Sequence, residues 1–396
     1  MVKASQLPGT YEGREQAFVK HRLLESYLEK LFLIIGMSAK RLGITELCYV
    51  DCFAGPWLDE SDDLSGTSIS ISLRSLEKCR ETIGSFGIGL KCRALYIEQD
   101  PSAVARLNKF LATRTGSRVT SESMAGDFVA LRSKILNWCG KDAFVFFFID
   151  PKGWRDISVE TLRPLLSRRR SEFLLNFQYD FVNRTASMAE WRQEIAYLLG
   201  ETVTVDGLTP EQRESQLVNT YRENLKRQIF VAADLRARSA YVRVLDPQKD
   251  RPKYHLVYLT SHPRGVIEFM GISERIDIVQ KQVRATKKAE ARAKRTGMND
   301  MFGAEGLVNA KEGHAGPADV DQFWANYLSR GTKRVGESEF ADILEDTNWF
   351  PEDLQGSLVR LIESGRVVNL DAPRRRPKTP LHWKQSERLQ LAGVMA

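Results

Sequence analysis

The sequence predicts an α/β protein: a doubly wound, mostly parallel sheet with a terminal antiparallel hairpin, followed by a small module of helices and a second hairpin. Three observations predict it. Short, nearly continuous apolar runs such as FVFFFID recur between helical patterns, as strands buried on both faces do. Two β-rich runs, AYVRVLD and KYHLVYLTSH, are separated only by PQKDRP, which suits antiparallel pairing rather than a crossover. From residue 318 onward, three short helical patterns precede two strand-like runs around a basic loop.

The elements follow in order. Leu23, Leu24, Tyr27, Leu28, Leu31 and Ile35 recur at helical spacing and mark a first helix that stops at Gly43. LCYVDCFAG then reads as a buried strand entering a turn, and RALYIEQD as a second strand. Residues 101–111 form a helix, and FVFFFID is a third apolar strand. The helical SVETLRPLLSRRR and the strand EFLLNF complete the alternation. Residues 185–238 read as a helical insertion before the hairpin. Residues 264–295 carry Ile267, Met270 and Ile276, then turn basic, with seven Lys/Arg and one acid across 281–295. The expected division is 1–290 for the large domain, 291–317 for a polar, Gly-containing linker, and 318–396 for the terminal module. In that module DVDQFWANYLSRG, GESEFADILEDTNW and PEDLQGSLVRLIESG are helices, while RVVNLD and LHWKQ flank the loop APRRRPKTP. Three helices and a hairpin with a charged loop make the winged-helix pattern.

Composition narrows the class. The 396 residues carry 58 Lys+Arg against 51 Asp+Glu, a net charge of +7, with an isoelectric point of about 9.1. At 42% hydrophobic and 28% charged residues the chain is of ordinary globular composition, not a disordered one. Its longest apolar runs, 31–36 and 144–149, fall far short of the ~18 residues of a membrane span. The opening MVKASQLPGTYEGREQ lacks the apolar core of a secretory signal. Five cysteines without a CxxC pair argue against a zinc ribbon or a disulfide framework. The expectation is a soluble, cytoplasmic protein. No HExxH, GxSxG or Walker-type loop is present, which weakens protease, serine-hydrolase and nucleotide-hydrolase readings.

In open parallel sheets, ligands bind beyond the carboxyl ends of the strands. After the first strand comes Asp51-Cys52-Phe53-Ala54-Gly55-Pro56, a small-residue turn that a ligand can approach closely. The second strand ends in Glu98, with Asp100 beyond it; an acid there accepts from ribose hydroxyls in dinucleotide folds. Asp127 could accept from an adenine amine or cap the following helix. Phe128 could stack on the ring or belong to the core. Cys52 reads as a small buried residue, His255 as structural, and His21 as a packing or capping residue.

The order of these features resembles the S-adenosylmethionine site of Rossmann-like methyltransferases, whose last two strands form such a hairpin. A closer resemblance can be named. KHRLLESYL (20–28), YVDCFAGPW (49–57), SGTSISI (65–71), YIEQD (96–100), AGDF (125–128), FFIDPKGW (147–154), LLNF (174–177) and YHLVYLTSH (254–262) look like the bacterial three-Cys-motif partner protein family. The GESEFADIL…W…LVRLIESGRVV segment is similar to the winged helix often attached to that family. The resemblance implies a Rossmann-like methyltransferase-type domain and a partner, the radical-S-adenosylmethionine-like three-Cys-motif protein. It also implies S-adenosylmethionine as cofactor, bound by Asp51, Phe53, Gly55, Glu98, Asp127 and Phe128. The sequence departs from the family at Trp57, where glycine is usual, and at Lys152, where an aromatic often stands.

The turn Asp150-Pro151-Lys152-Gly153-Trp154 suggests chemistry on a planar acceptor. Asp150 would orient the acceptor or its proton, Lys152 would contact an anionic group, and Trp154 would stack. A plain tight turn is the alternative. Asn176 and Gln178 could add polar contacts. There is no Pro-Cys pair for carbon-5 cytosine methylation. In the terminal module, Arg374, Arg375, Arg376 and Lys378 form a positive loop suited to phosphates, and Gln355, Ser357 and Arg360 are candidates for groove contacts. Two readings remain: a methyltransferase acting on nucleic acid, DNA or RNA, or a non-catalytic nucleic-acid-binding subunit of the three-Cys-motif protein.

Overall fold

The computed structural model describes residues 8–55, 64–114, 117–296, 314–374 and 376–393. Helix α1 (Glu15–Leu42) buries the predicted stripe and ends where Gly43 takes a φ of +61°. Glycine adopts that left-handed conformation without the Cβ penalty. Then β1 (Glu46–Asp51), α2 (Ser68–Ser85), β2 (Lys91–Glu98), α3 (Pro101–Ala112), β3 (Val119–Ala125), α4 (Phe128–Cys139), β4 (Phe144–Ile149), α5 (Val159–Leu166) and β5 (Ser171–Phe177) alternate. Helices α6 (Tyr179–Thr185), α7 (Arg192–Leu199) and α8 (Pro210–Lys226) lead to the hairpin β6 (Arg238–Leu245) and β7 (Pro252–Thr260). Helix α9 (Pro263–Thr296) carries the basic stretch as a continuous helix into the segment expected to be linker.

The strands form one seven-stranded sheet in the order β3-β2-β1-β4-β5-β7-β6. Strands β1 to β5 are parallel, β7 is antiparallel to β5, and β6 is antiparallel to β7. This is the Rossmann-like methyltransferase-type sheet that the sequence predicts. Side chains alternate across it. Tyr49, Tyr96, Phe146 and Phe148 join the core under α1, α2 and α9. Val50, Ile97, Phe147 and Ile149 join the opposite core under α4, α5 and α8. All six residues of β4 are buried, which explains its unbroken apolar run. Strand β3 was not among the predicted strands. It is an edge strand, VTSESMA, with a largely exposed polar pattern that carries little hydrophobic signal.

The terminal module comprises α10 (Pro317–Leu328), β8 (Lys333–Val335), α11 (Glu337–Thr347), α12 (Pro351–Glu363), β9 (Val367–Asn369) and β10 (Glu387–Leu391). Its antiparallel sheet has the order β8-β10-β9. Two details differ from expectation: β8 is an added strand, and LHWKQ forms a 3-10 turn at Trp383–Gln385 ahead of the second hairpin strand. The module's Trp324, Phe340, Leu344, Leu358 and Leu389 belong to the same continuous core as α1 and α9. A buried ionic cluster adds to the join. Arg238, at the start of edge strand β6, pairs with Asp342 and donates to Ser338 Oγ at 2.8 Å. Buried Glu345 accepts from the Ser239 amide at 3.0 Å and pairs with Lys226 at 2.6 Å. These contacts also occupy part of the open sheet edge, which would otherwise offer unpaired backbone groups. No helix among the described residues is long and apolar enough to cross a membrane.

Candidate functional site

The parallel register brings the ends of β1, β2 and β4 together. Asp51 pairs across to Tyr96 on β2 and to Phe148 on β4, and Glu98 pairs with Ala125 on β3. Asp51 itself is fully buried. It accepts from Ser68 Oγ at 2.6 Å, from the Phe53 amide at 3.2 Å and from Tyr49 Oη at 3.4 Å. It therefore ties the two ends of the β1–α2 connection together from behind. Burial pushes its carboxyl up to about 6, against the lowering effect of the Ser68 and Phe53 hydrogen bonds.

In front of that loop lies a cleft of about 620 Å³, lined by Phe53, Gly55, Glu98, Asp127, Phe128 and Lys152, among others. Pockets for small ligands typically span roughly 300–1,000 Å³. Five of the six residues assigned to a cofactor from the sequence line it together; Asp51 stands behind. Glu98 is buried, and its Oε1 accepts from the Asp100 amide at 2.7 Å. Asp127 Oδ1 accepts from the Ala130 amide at 2.9 Å, so it caps α4 and lines the cleft at once. Gly126, ahead of it, needs its φ of +139°, and a Cβ there would approach Leu131 Cδ1 to 3.3 Å. Phe128 is core, with its ring centroid 5.0 Å from that of half-buried Phe53. Asp156 also lines the cleft and was not singled out in the sequence. Burial and the charge of Asp127 raise its carboxyl above the usual range. The lining thus holds four carboxylates, Glu98, Asp100, Asp127 and Asp156, against one cation, Lys152.

Beyond β4 the arrangement closes. Asp150 pairs with Lys20 from α1 and accepts from Asn176 Nδ2 at 2.6 Å. A carboxylate only accepts, so the amide nitrogen must face it. Asn176 Oδ1 is then left buried with no hydrogen-bond partner. Lys20 Nζ also lies 5.9 Å from the centroid of the Tyr254 ring. Lys152 is exposed at the cleft. Trp154 is buried, stacked on Phe181 at 5.3 Å and edge-on to Trp191 at 5.9 Å. The face that the sequence reading offered to a planar acceptor is therefore covered by Phe181. Gln178 reaches the Pro151 carbonyl at 3.4 Å. Nothing in the sequence around Lys20 pointed to Asp150, because the pairing exists only once α1 lies over the strand ends.

The remaining candidates separate cleanly. His255 is buried and bonded to Glu214 at 2.7 Å. All five cysteines are buried and free, and burial pushes the Cys48 thiol up to about 12. No metal-binding group of His, Cys, Asp or Glu occurs among the described residues. In the terminal module, Arg374 and Lys378 are exposed. Arg376 instead pairs with buried Glu387 at 2.7 Å, and Arg360 with Asp321 at 2.6 Å. Ser357 is fully buried, and Gln355 donates to the Leu381 carbonyl at 2.8 Å. Ser357 and Gln355 are engaged inside the module, whereas Arg360 stays exposed beside Asp321. Arg375 and Trp57 lie outside the described residues.

No family model matches the chain, and no curated protein matches it in sequence. Among solved structures, the O-methyltransferase TomG of Streptomyces achromogenes, in complex with SAM, is similar at 12% identity and a TM-score of 0.31, covering 59% of this chain and 79% of its own. An O-methyltransferase from Bacillus cereus in complex with SAH is similar at 9% identity and a TM-score of 0.30, covering 58% of this chain and 80% of its own.

Asp51 generates a pH test. Its folded value of about 6 lies above the ordinary 3.8, so its contribution to stability is complete below pH 3.8 and is lost as pH rises through 6. Asp51→Asn keeps one oxygen for the Phe53 amide and turns its amide nitrogen to the Ser68 hydroxyl, which can accept, but it does not titrate. The melting temperature of the variant relative to the parent protein should therefore climb between about pH 4 and pH 6 and level off above about pH 7. A difference that stays flat across that range would contradict the buried, titrating carboxyl.

Proposed function

We propose that the protein is an S-adenosylmethionine-dependent methyltransferase, with its cofactor in the acidic cleft and its methyl acceptor beyond β4. One observation carries the reading: the donor set of the cleft. S-adenosylmethionine is a cation with an ammonium group, ribose hydroxyls and an adenine amine. Four carboxylates and one lysine suit such a ligand, because hydroxyls and amines donate and cations pair. A dinucleotide pyrophosphate would instead meet carboxylates where it needs amides and positive charge. Glu98 would accept from the ribose hydroxyls, as acids at this strand end do in dinucleotide folds. Asp127 would accept from the adenine amine, Gly55 and Gly126 would leave room for close approach, and Phe53 would offer an apolar edge to the ring.

When bound, S-adenosylmethionine supplies an electrophilic methyl group, whose S–C bond breaks to leave a neutral thioether as the acceptor gains the carbon and gives up a proton. The chain's own contribution is to hold the acceptor in line, and proximity of this kind is worth about 7–11 kcal/mol. Asp150 accepts a hydrogen from the acceptor once Lys20 yields its place, and Asn176 Oδ1 offers a second acceptor for an N–H or O–H. Lys152, at the mouth of the cleft, contacts an anionic part of the substrate.

The acceptor in this proposal is a nucleic acid. Exposed Arg374 and Lys378 on the loop between β9 and β10, together with the winged-helix reading of the module, support it. The resemblance to three-Cys-motif partner proteins adds the three-Cys-motif protein as a partner. A second reading, a non-catalytic binding subunit of that partner, is favoured by one specific feature. Lys20 covers Asp150, and Phe181 covers Trp154, so the acceptor end is closed.

Two experiments test these proposals. In titration calorimetry, Glu98→Gln and Asp127→Asn, which preserves the helix cap, should each weaken S-adenosylmethionine binding about tenfold, as loss of a charge-assisted hydrogen bond does. Unchanged affinity in folded variants would refute the cleft assignment. Replacing Arg374 and Lys378 by Ala should flatten the dependence of nucleic-acid affinity on salt by about one phosphate contact each. An identical slope would remove the module from the nucleic-acid interface.

A further inference from the structure

The short helix that covers the acceptor end carries a surplus of positive charge on its other side. Asp180, in the first turn of α6, is buried, and three cations meet at its carboxylate. Arg184 of the same helix lies 3.6 Å away, Arg251, just before β7, 3.4 Å, and Lys253 of β7 3.7 Å. Their side chains are 62%, 47% and 44% exposed. Among the described residues, none of the three has a second carboxylate within 4 Å. These separations exceed the roughly 2.7–2.9 Å of a charge-assisted hydrogen bond. Arg360 on Asp321 at 2.6 Å and Arg388 on Asp371 at 2.7 Å show the tighter kind in the same chain. Three cations against one carboxylate leave the cluster two positive charges in excess. Glu214 and Asp250, which line the same cleft as Asp180, do not remove that excess. The first is held by Arg243 and His255, the second by Arg284 and Lys288. Exposed Glu211, at the start of α8, is offset by Arg213, whose guanidinium donates to the Ser187 hydroxyl and the Asn183 carbonyl instead of a carboxylate.

The cluster adjoins the turn where the acceptor is expected. Helix α6 follows Gln178, which reaches the Pro151 carbonyl beside Asp150, and its Phe181 covers Trp154. Tyr254, next to Lys253, is the ring that Lys20 approaches as it pairs with Asp150. We propose that Arg184, Arg251 and Lys253 hold a backbone phosphate of the acceptor nucleic acid, anchoring the strand beside the β4 turn while the terminal module grips another part of it. A phosphodiester suits the cluster. Its charge is shared by two unbridged oxygens, so it can engage two of the cations while Asp180 keeps the third, and a guanidinium fork matches phosphate oxygens well. The charge also repeats along a nucleic-acid strand, so a strand of sufficient length can meet both this cluster and the β9–β10 loop.

This inference rests on the nucleic-acid reading, and its test separates the two. Binding of fluorescein-labelled single-stranded oligonucleotides, one DNA and one RNA, to the full chain is followed by fluorescence anisotropy across a salt series. Arg251→Gln combined with Lys253→Gln should lower the slope of log affinity against log salt by about 0.7, the share of one phosphate on a single strand, and weaken binding about fivefold at ~0.1 M salt. Arg184→Gln, a change at an exposed side chain that the fold tolerates, should move both readouts in the same direction and carries the test if the double variant does not fold. Lys134→Gln combined with Lys141→Gln removes two exposed charges on α4 and ahead of β4, away from the cluster, and should leave the slope unchanged. Parent-like slopes and affinities in the folded cluster variants, or an equal drop in the Lys134→Gln/Lys141→Gln protein, would overturn the phosphate site. If the parent binds neither oligonucleotide, the nucleic-acid reading fails and the site falls with it. If the parent binds and only the loss of Arg374 and Lys378 flattens the slope, the reading stands and the cluster alone is refuted.

Discussion

The constraint on which the molecule depends is the register of its parallel strands. Five strands run in one direction, and β1, β2 and β4 finish at the same level, so Asp51, Glu98 and Asp150 come to one edge from distant parts of the chain. Strand β4, buried on both faces, makes that register unforgiving, since a slip by one residue would exchange the two cores. The loops at this edge are then stiffened by helix caps that are also site residues. Asp127 caps α4 and Asp100 caps α3, so the acidity of the cleft and the starts of these helices come from the same side chains.

Charge is divided by position. The cleft is acidic although the chain as a whole is basic, and the exposed arginine and lysine of the β9–β10 loop lie in another part of the molecule. The terminal module is no loose appendage. It shares its hydrophobic core with α1 and α9, and its Asp342 and Glu345 hold the first residues of the edge strand β6. Any partner gripped by the module is held in a set orientation to the cleft.

Much of the fold was legible in the sequence for a plain reason: burial on both faces writes an unbroken apolar run, as in FVFFFID, and burial on one helical face writes the stripe of α1. Strand β3 was not legible, because an edge strand with serine and glutamate has nothing to repeat. Along the cleft, Glu98 and Asp127 could be read because they sit where strands end. The β4 turn and the module were harder. Trp154 looked free to stack, and Arg360 and Arg376 looked free to bind phosphate. Their partners, Phe181, Asp321 and Glu387, are far enough away in sequence that only the folded chain brings them into contact. Lys20 is the same case in reverse, an ordinary helix lysine until α1 sets it on Asp150.

The central claim is that the acidic cleft between the ends of β1, β2 and β3 receives an S-adenosyl ligand. A crystal structure of the full chain grown with S-adenosylhomocysteine tests it most directly. The account predicts electron density for the ligand in that cleft, with ribose hydroxyls on the Glu98 carboxylate and the adenine beside Asp127 and Phe53. Density only in the separate groove between β6, α9 and the terminal module, lined by Tyr241, Arg284 and Trp349, would contradict it, as would a well-ordered but empty cleft at saturating ligand.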